Sequence, residues 1–331
     1  MSRTALHNGA AALSIFCTLA TTGPAAGQSF ITFNVENDNT YAGAINAGGE
    51  VTSYYIDASG TAHGFVRAAD GTITTFDPEG STDTFPFGIN RRGDVTGNYS
   101  SFNGSGFLRM RNGKIITFSG PDSDQIWPVS INDSGVITGW YDDEGGGVHG
   151  FVRGLDGTIT SFDPQGSVET EPTGIDAKGD IAGLYWTSGT AAEGFLRTPD
   201  GTITSFAVKG ATVTFPEGIN RKGAIVGRYR SGHGADVGFE RMPSGKIKTF
   251  VVQGAADTEA LGLNDKGTIV GYYTDSSNVN HGFVGTIKSG FTGFDPPNST
   301  LTIAGSINDD GDITGYYIDG SGEDYGFIRT P

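Results

Sequence analysis

Three histidines, His63, His149 and His281, each stand directly before a Gly-Phe pair, and three imidazoles are enough to hold a zinc ion. Their spacing argues against it, because they fall in the first, third and sixth copies of an internal repeat, which are not neighbours. A hydrogen-bonded anchor at a loop end is the expected role. Asp77, Asp163 and Asp295 recur in "FDP", and since proline cannot continue a strand ladder each is expected to end an outer strand. Two acidic runs, "NDDGD" (308–312) and "DDEGGG" (142–147), lack the alternating oxygen ligands and terminal Glu of a calcium loop and read as solvated turns. The sequence holds no serine nucleophile elbow, phosphate loop or HExxH pair. Neither metal nor cofactor is expected.

Carboxylates and tryptophans offer the remaining chemistry. Glu217 is the one carboxylate expected on an innermost strand, three residues before Asn220. As general acid or base it needs a second carboxylate from elsewhere in the fold at ~5–10 Å. Trp127 is placed in a crossover loop, Trp140 in a second strand and Trp186 in a long loop. Trp127 and Trp186, beside Asp142 and Asp143, would make an aromatic platform suited to stacking on sugar rings; packing between neighbouring blades is the competing reading for each.

The elements that must position these residues emerge from self-similarity. Phe33, Phe76, Phe118, Phe162, Phe206, Phe250 and Phe294 close equivalent segments 42 to 44 residues apart. Each copy reads as four strands of about five residues. The first ends in Asn or Asp with Gly three positions later, as in Asn46/Gly49 and Asp176/Gly179, the signature of a type I turn closed by a left-handed glycine. The second carries a tyrosine, a longer variable loop leads to the third ("GFVR"), and a tight turn such as "PDG" leads to the fourth ("TITTF"). The residue two before the Asn or Asp is always Gly, Ala or Ser, which places that strand innermost, where chains converge.

The chain opens at residue 29 with a fourth strand and ends with a third. Pairing the two completes the last sheet, so the expected fold is an all-β, seven-bladed propeller of residues 28–331, closed by 29–35. The "HGF" tripeptides and "GINxxGxVxGxY" resemble the bacterial HAF-type extracellular repeat proteins, a likeness that covers every copy. That resemblance implies secretion and a propeller-like repeat; Gly stands here where the family tripeptide has Ala.

Residues that recur in nearly every copy are expected to lock blades rather than catalyse, since one active site needs one constellation. Tyr55, Tyr99, Tyr141, Tyr185, Tyr229, Tyr273 and Tyr317 belong to this class. So do Arg67, Arg109, Arg153, Arg197, Arg241 and Arg329, each expected to pair with a carboxylate or carbonyl between blades.

Composition limits the partners. Lys and Arg number 21 against 37 Asp and Glu, and a net charge of −16 disfavours nucleic acid and anionic membrane surfaces. Arg3 followed by "AAALSIFCTLA" and "PAAGQ" reads as a signal peptide over 1–27 rather than a membrane span, and Cys17, the one cysteine, lies within it. Sorting charges by strand direction gathers carboxylates, among them Asp122, Asp124, Asp142, Asp143 and Glu259, on the long-loop face. The expected protein is a secreted monomer that binds a carbohydrate, cationic or protein ligand on that face. Glycosidase or polysaccharide lyase activity at an axial funnel, and a purely structural role, are the alternatives.

Overall fold

The computed structural model describes residues 29–100, 105–121, 123, 125–189 and 191–331. The leader expected at 1–27 lies outside the described residues, as do Asp122 and Asp124. Among the described residues there are 28 strands and no helix, and the strands run in antiparallel units of four. In the first unit Asn39–Ile45, Val51–Ile56, Ala62–Arg67 and Ile73–Phe76 pair in that order. Ser29–Phe33 pairs with Asp324–Thr330, from Ser29↔Thr330 to Phe33↔Gly326, so the two ends of the described chain share one sheet.

Asx chemistry closes the hairpins. Asn46 Oδ1 accepts the amides of Gly48 and Glu50, its carbonyl accepts the amide of Gly49, and Gly49 sits at φ 76°. The connection between second and third strands, expected to be longer and variable, is tight in the first unit too. Asp57 Oδ1 accepts the amides of Ser59 and Thr61 while Gly60 takes φ 87°, and Asp143, Asp275 and Asp319 cap their turns in the same way. One carboxylate can satisfy two turn amides at once, which removes the need for a longer loop.

Units join through their sheet faces. The third-strand phenylalanines, such as Phe65, Phe195 and Phe327, are fully buried, and each of these meets the fourth-strand ring of the preceding unit edge-on, as Phe195 meets Phe162 at 5.8 Å. The small residue near the axis is required by close approach: a Cβ on Gly218 would lie 2.9 Å from the Leu261 carbonyl oxygen of the next unit.

The repeated arginines do lie between units, yet their partner is an aromatic face rather than a carboxylate. Arg67, Arg109, Arg153, Arg197, Arg241 and Arg329 stack over Phe33, Phe76, Phe118, Phe162, Phe206 and Phe294 at 4.7–5.0 Å. Arg67 and Arg197 also donate to the carbonyls of Ala68 and Thr198 at 3.3 Å, within their own turns. A weakly hydrated guanidinium tolerates this burial, which lowers its pKa from the ordinary value without discharging it. The sixth unit has Gly285 at the Arg position, and Phe291 stacks on Phe250 at 4.2 Å in its place.

The tyrosines span from second to fourth strand inside a unit. Tyr141 OH lies 2.8 Å from Ser161 Oγ, and Tyr185 donates to Glu193 at 2.8 Å while its oxygen lies 3.0 Å from Ser205 Oγ. Tyr55, Tyr99, Tyr141, Tyr185 and Tyr317 are buried, while Tyr229 and Tyr273 are half-buried.

Candidate functional site

The first strands surround an axial channel. Each carries a β-bulge that skips one residue in the ladder, as at Pro216/Gly218, and a bulge re-aims the side chain it displaces. The bulged residues Phe87, Val129, Thr173, Glu217 and Leu261 therefore line a cavity of about 340 Å³. Among the described residues Glu217 is the only ionisable group on its wall, and 27% of its side chain remains exposed.

Two residues nearer the crossover end, first- and second-strand partners form a layer above this cavity. Unlike the packing positions, they differ from unit to unit. On one side the layer is aromatic: Tyr316 meets Tyr41 at 5.1 Å, Tyr41 stacks on Tyr54 at 4.9 Å, and Tyr54 meets Phe85 edge-on at 5.2 Å. Trp127 stacks on its cross-strand partner Trp140 at 3.9 Å. On the other side the layer is charged. Arg228 Nε lies 2.9 Å from Glu259 and 3.7 Å from Glu217, Nη1 lies 3.1 Å from Asp236, and the guanidinium covers Phe215 at 4.3 Å.

Since both carboxylates are measured to the same Nε, the oxygens of Glu217 and Glu259 are no farther apart than those two distances laid end to end. That keeps them inside the ~10 Å outer limit at which two carboxyl groups can share acid and base work. Burial pushes Glu217 up to about 7, Arg228 opposes this, and Glu259 and Glu171 add to it. Burial also raises Glu171 and Tyr272, and the neighbouring Glu259 adds to the rise of Tyr272. Glu217 is thus a raised carboxyl group beside a second one that contacts Arg228, the asymmetry that acid and base work uses.

The other sequence candidates land differently. Trp127 lies in the first strand Ile126–Ile131 rather than a crossover, and Trp186 ends the second strand Ile181–Trp186 rather than occupying a loop. The two do not form one platform: Trp127 pairs with Trp140, and Trp186 packs on Phe215 at 6.3 Å. Cross-strand register sets Trp127 against Trp140, whereas Trp186 turns to the first strand of the following unit. Asp142 ends a strand and is raised by burial, whereas Asp143 is a turn cap.

Asp143 also belongs to a feature the sequence reading missed. His63 Nδ1 lies 2.7 Å from Asp77 and Nε2 3.5 Å from Asp57; His149 holds Asp163 and Asp143, and His281 holds Asp295 and Asp275, in the same way. Asp77 and Asp163 in turn accept the hydroxyls of Thr84 and Thr170 in the following unit, so the "FDP" carboxylates are clasps and not merely strand ends. The signal was available: all three residue types coincide in the same three copies.

These clasps have a pH signature. Burial alone would lower His63 and His149, but the hydrogen bonds and charges of their aspartates outweigh it and raise both. Stability from a raised histidine is complete below about 6.5 and is lost as pH rises through the folded-state value. The partners act oppositely, since Asp57 is lowered to about 2 by the Ser59 hydroxyl first and the Thr61 amide next, so its share fades only in strong acid. A His63→Gln, His149→Gln variant is expected to show a flatter melting temperature between pH 6 and 8 than the parent; parallel curves would refute the assignment.

No family model matches the chain, and no curated protein matches it. Solved structures do. Virginiamycin B lyase from Staphylococcus aureus is 16% identical over 92% of this chain and 99% of its own, with a TM-score of 0.60. The β-propeller domain of the Trilobed protease from Pyrococcus furiosus is 8% identical over 88% and 95%, with a TM-score of 0.61. Puromycin hydrolase is 13% identical over 87% of this chain and 53% of its own length, with a TM-score of 0.60. The likeness is one of fold: this chain is propeller-like.

Proposed function

We propose that the chain closes into a seven-bladed propeller and acts as a secreted, monomeric binding protein that holds a carbohydrate at the mouth of the axial channel. Closure is supported by the pairing of Ser29–Phe33 with the last strand, the Arg67–Phe33 stack, and the reach of Asn308 Nδ2 to the Asn46 carbonyl at 3.5 Å. The binding reading rests on one observation: the layer around the channel divides into an aromatic arc and a carboxylate group, built from residues that differ between units. Sugar rings offer apolar C–H faces that stack on aromatic side chains and hydroxyls that donate to carboxylates, so such a divided mouth matches both aspects of the ligand.

A glycan array followed by calorimetry tests this. The Tyr54→Ala, Phe85→Ala variant is expected to weaken any bound glycan by about tenfold or more, roughly 1.4 kcal/mol. Unchanged affinity with an intact melt would overturn the reading. Glu217 and Glu259 favour a second reading, glycoside cleavage with Glu217 as the acid. Release of sugar from the same glycans, lost in Glu217→Gln while binding persists, would decide for it.

A further inference from the structure

On the tight-turn side, the Asn that opens each first turn also links units. Asn46 Nδ2 donates to the Asn90 carbonyl at 3.0 Å, and the same bond recurs from Asn90, Asn132, Asn220, Asn264 and Asn308 at 3.0–3.5 Å. Together these links ring a cavity of about 220 Å³. Asp176 takes the Asn position once. Its Oδ1 accepts the amides of Lys178 and Asp180 at 2.8 and 2.9 Å, just as Asn46 Oδ1 serves its own turn. Its Oδ2 therefore stands where Nδ2 stands elsewhere, and it is buried with no hydrogen-bond partner in a residue only 2% exposed. The next unit presents the Asn220 carbonyl, which accepts only the Gly223 amide of its own turn.

Two acceptors without a donor between them cannot persist at no cost in a buried seam. We propose that Asp176 is a proton-binding site: its carboxyl is held as the neutral acid, and Oδ2–H donates to the Asn220 carbonyl, completing the ring of links. A proton is favoured over a cation because Oδ2 is sealed from the cavity and offers an ion a single charged oxygen. Burial raises the carboxyl above its ordinary value, against the amides of its own turn and Lys178, while Asp180 adds to the rise. Other charges nearby are committed elsewhere. On the preceding turn Asp133 accepts the Arg91 amide; on the following one Arg221 pairs with Asp265 and Asp309, and Lys222 donates to the Asp265 carbonyl.

For an acid raised by folding, stability is complete at low pH and falls as pH rises through the folded-state value. Asp176→Asn supplies the missing N–H at every pH. The variant is expected to gain several degrees of melting temperature at pH 8 and little at pH 4, and to lose one protonated-carboxyl infrared band that the parent keeps at pH 7. A gain independent of pH, or no band change, overturns the proposal. A melting temperature that rises with added calcium or sodium chloride in the parent but not in Asp176→Asn overturns it in favour of a bound cation.

Discussion

Deleting residues 29–33 is expected to lower the melting temperature by roughly 10 °C or more, or to drive the protein into aggregates. The strand contributes a full ladder to Asp324–Thr330, and two rings go with it. Phe30 packs on Phe294 and Phe327 at 6.0 and 6.1 Å, and Phe33 lies beneath the Arg67 guanidinium and against Phe65. Loss of a fully buried phenylalanine costs about 3–5 kcal/mol and these two, half-buried, somewhat less each, while each kcal/mol is worth a few degrees in a chain of this size. Arg67 would also remain buried without its ring, and a bare third strand would face solvent as an aggregation-prone edge. Ser29→Ala, which removes only a surface bond to Thr330 Oγ1, serves as the neutral control. An unchanged melt after the deletion would refute the pairing.

Arg228→Met is the second large effect. The arginine sits among Glu217, Asp236 and Glu259; Asp236 keeps Arg230, but removing the shared partner of the other two from a partly buried group leaves uncompensated charge, at most about 3–5 kcal/mol. The penalty has a direction in pH. Without the guanidinium, which opposes its rise, Glu217 rises further, so the variant loses most at pH 8 and recovers toward pH 5 as Glu217 takes up its proton. Glu259→Gln in the same chain is expected to restore part of the loss. A variant that melts like its parent at pH 8 would show that the cluster is solvent-screened.

The same charges explain why the site was only partly legible. Glu217 could be picked out because its distance from Asn220 places it near the axis, although the bulge that turns it into the channel is a ladder irregularity no single residue announces. Arg228 and Tyr272 could not. Each directly precedes a repeated tyrosine, a position that looked like filler between invariant neighbours. In a repeat, constancy marks packing, and a site that occurs once must lie where the copies disagree. Trp127 and Trp186 were read through loop positions: Trp186 falls in a strand because the hairpin between second and third strands is shorter than expected, and Trp127 because its first strand already begins at Ile126.

What is local and recurs can be read directly from the residues: the Asx-Gly turns, the four-strand unit, the Phe and Tyr packing positions, and the complementary halves at residues 29–33 and 324–330. Each depends on residues within one unit or on the same contact made again by the next. Tertiary structure alone decided which unlike residues meet. The Tyr316–Tyr41–Tyr54–Phe85 arc and the Arg228 cluster join neighbouring units about the channel, and the unpartnered Asp176 oxygen lies at a seam between two of them. The angle between units, set by the summed packing of their faces, brings these side chains together, and no segment of sequence encodes that angle on its own.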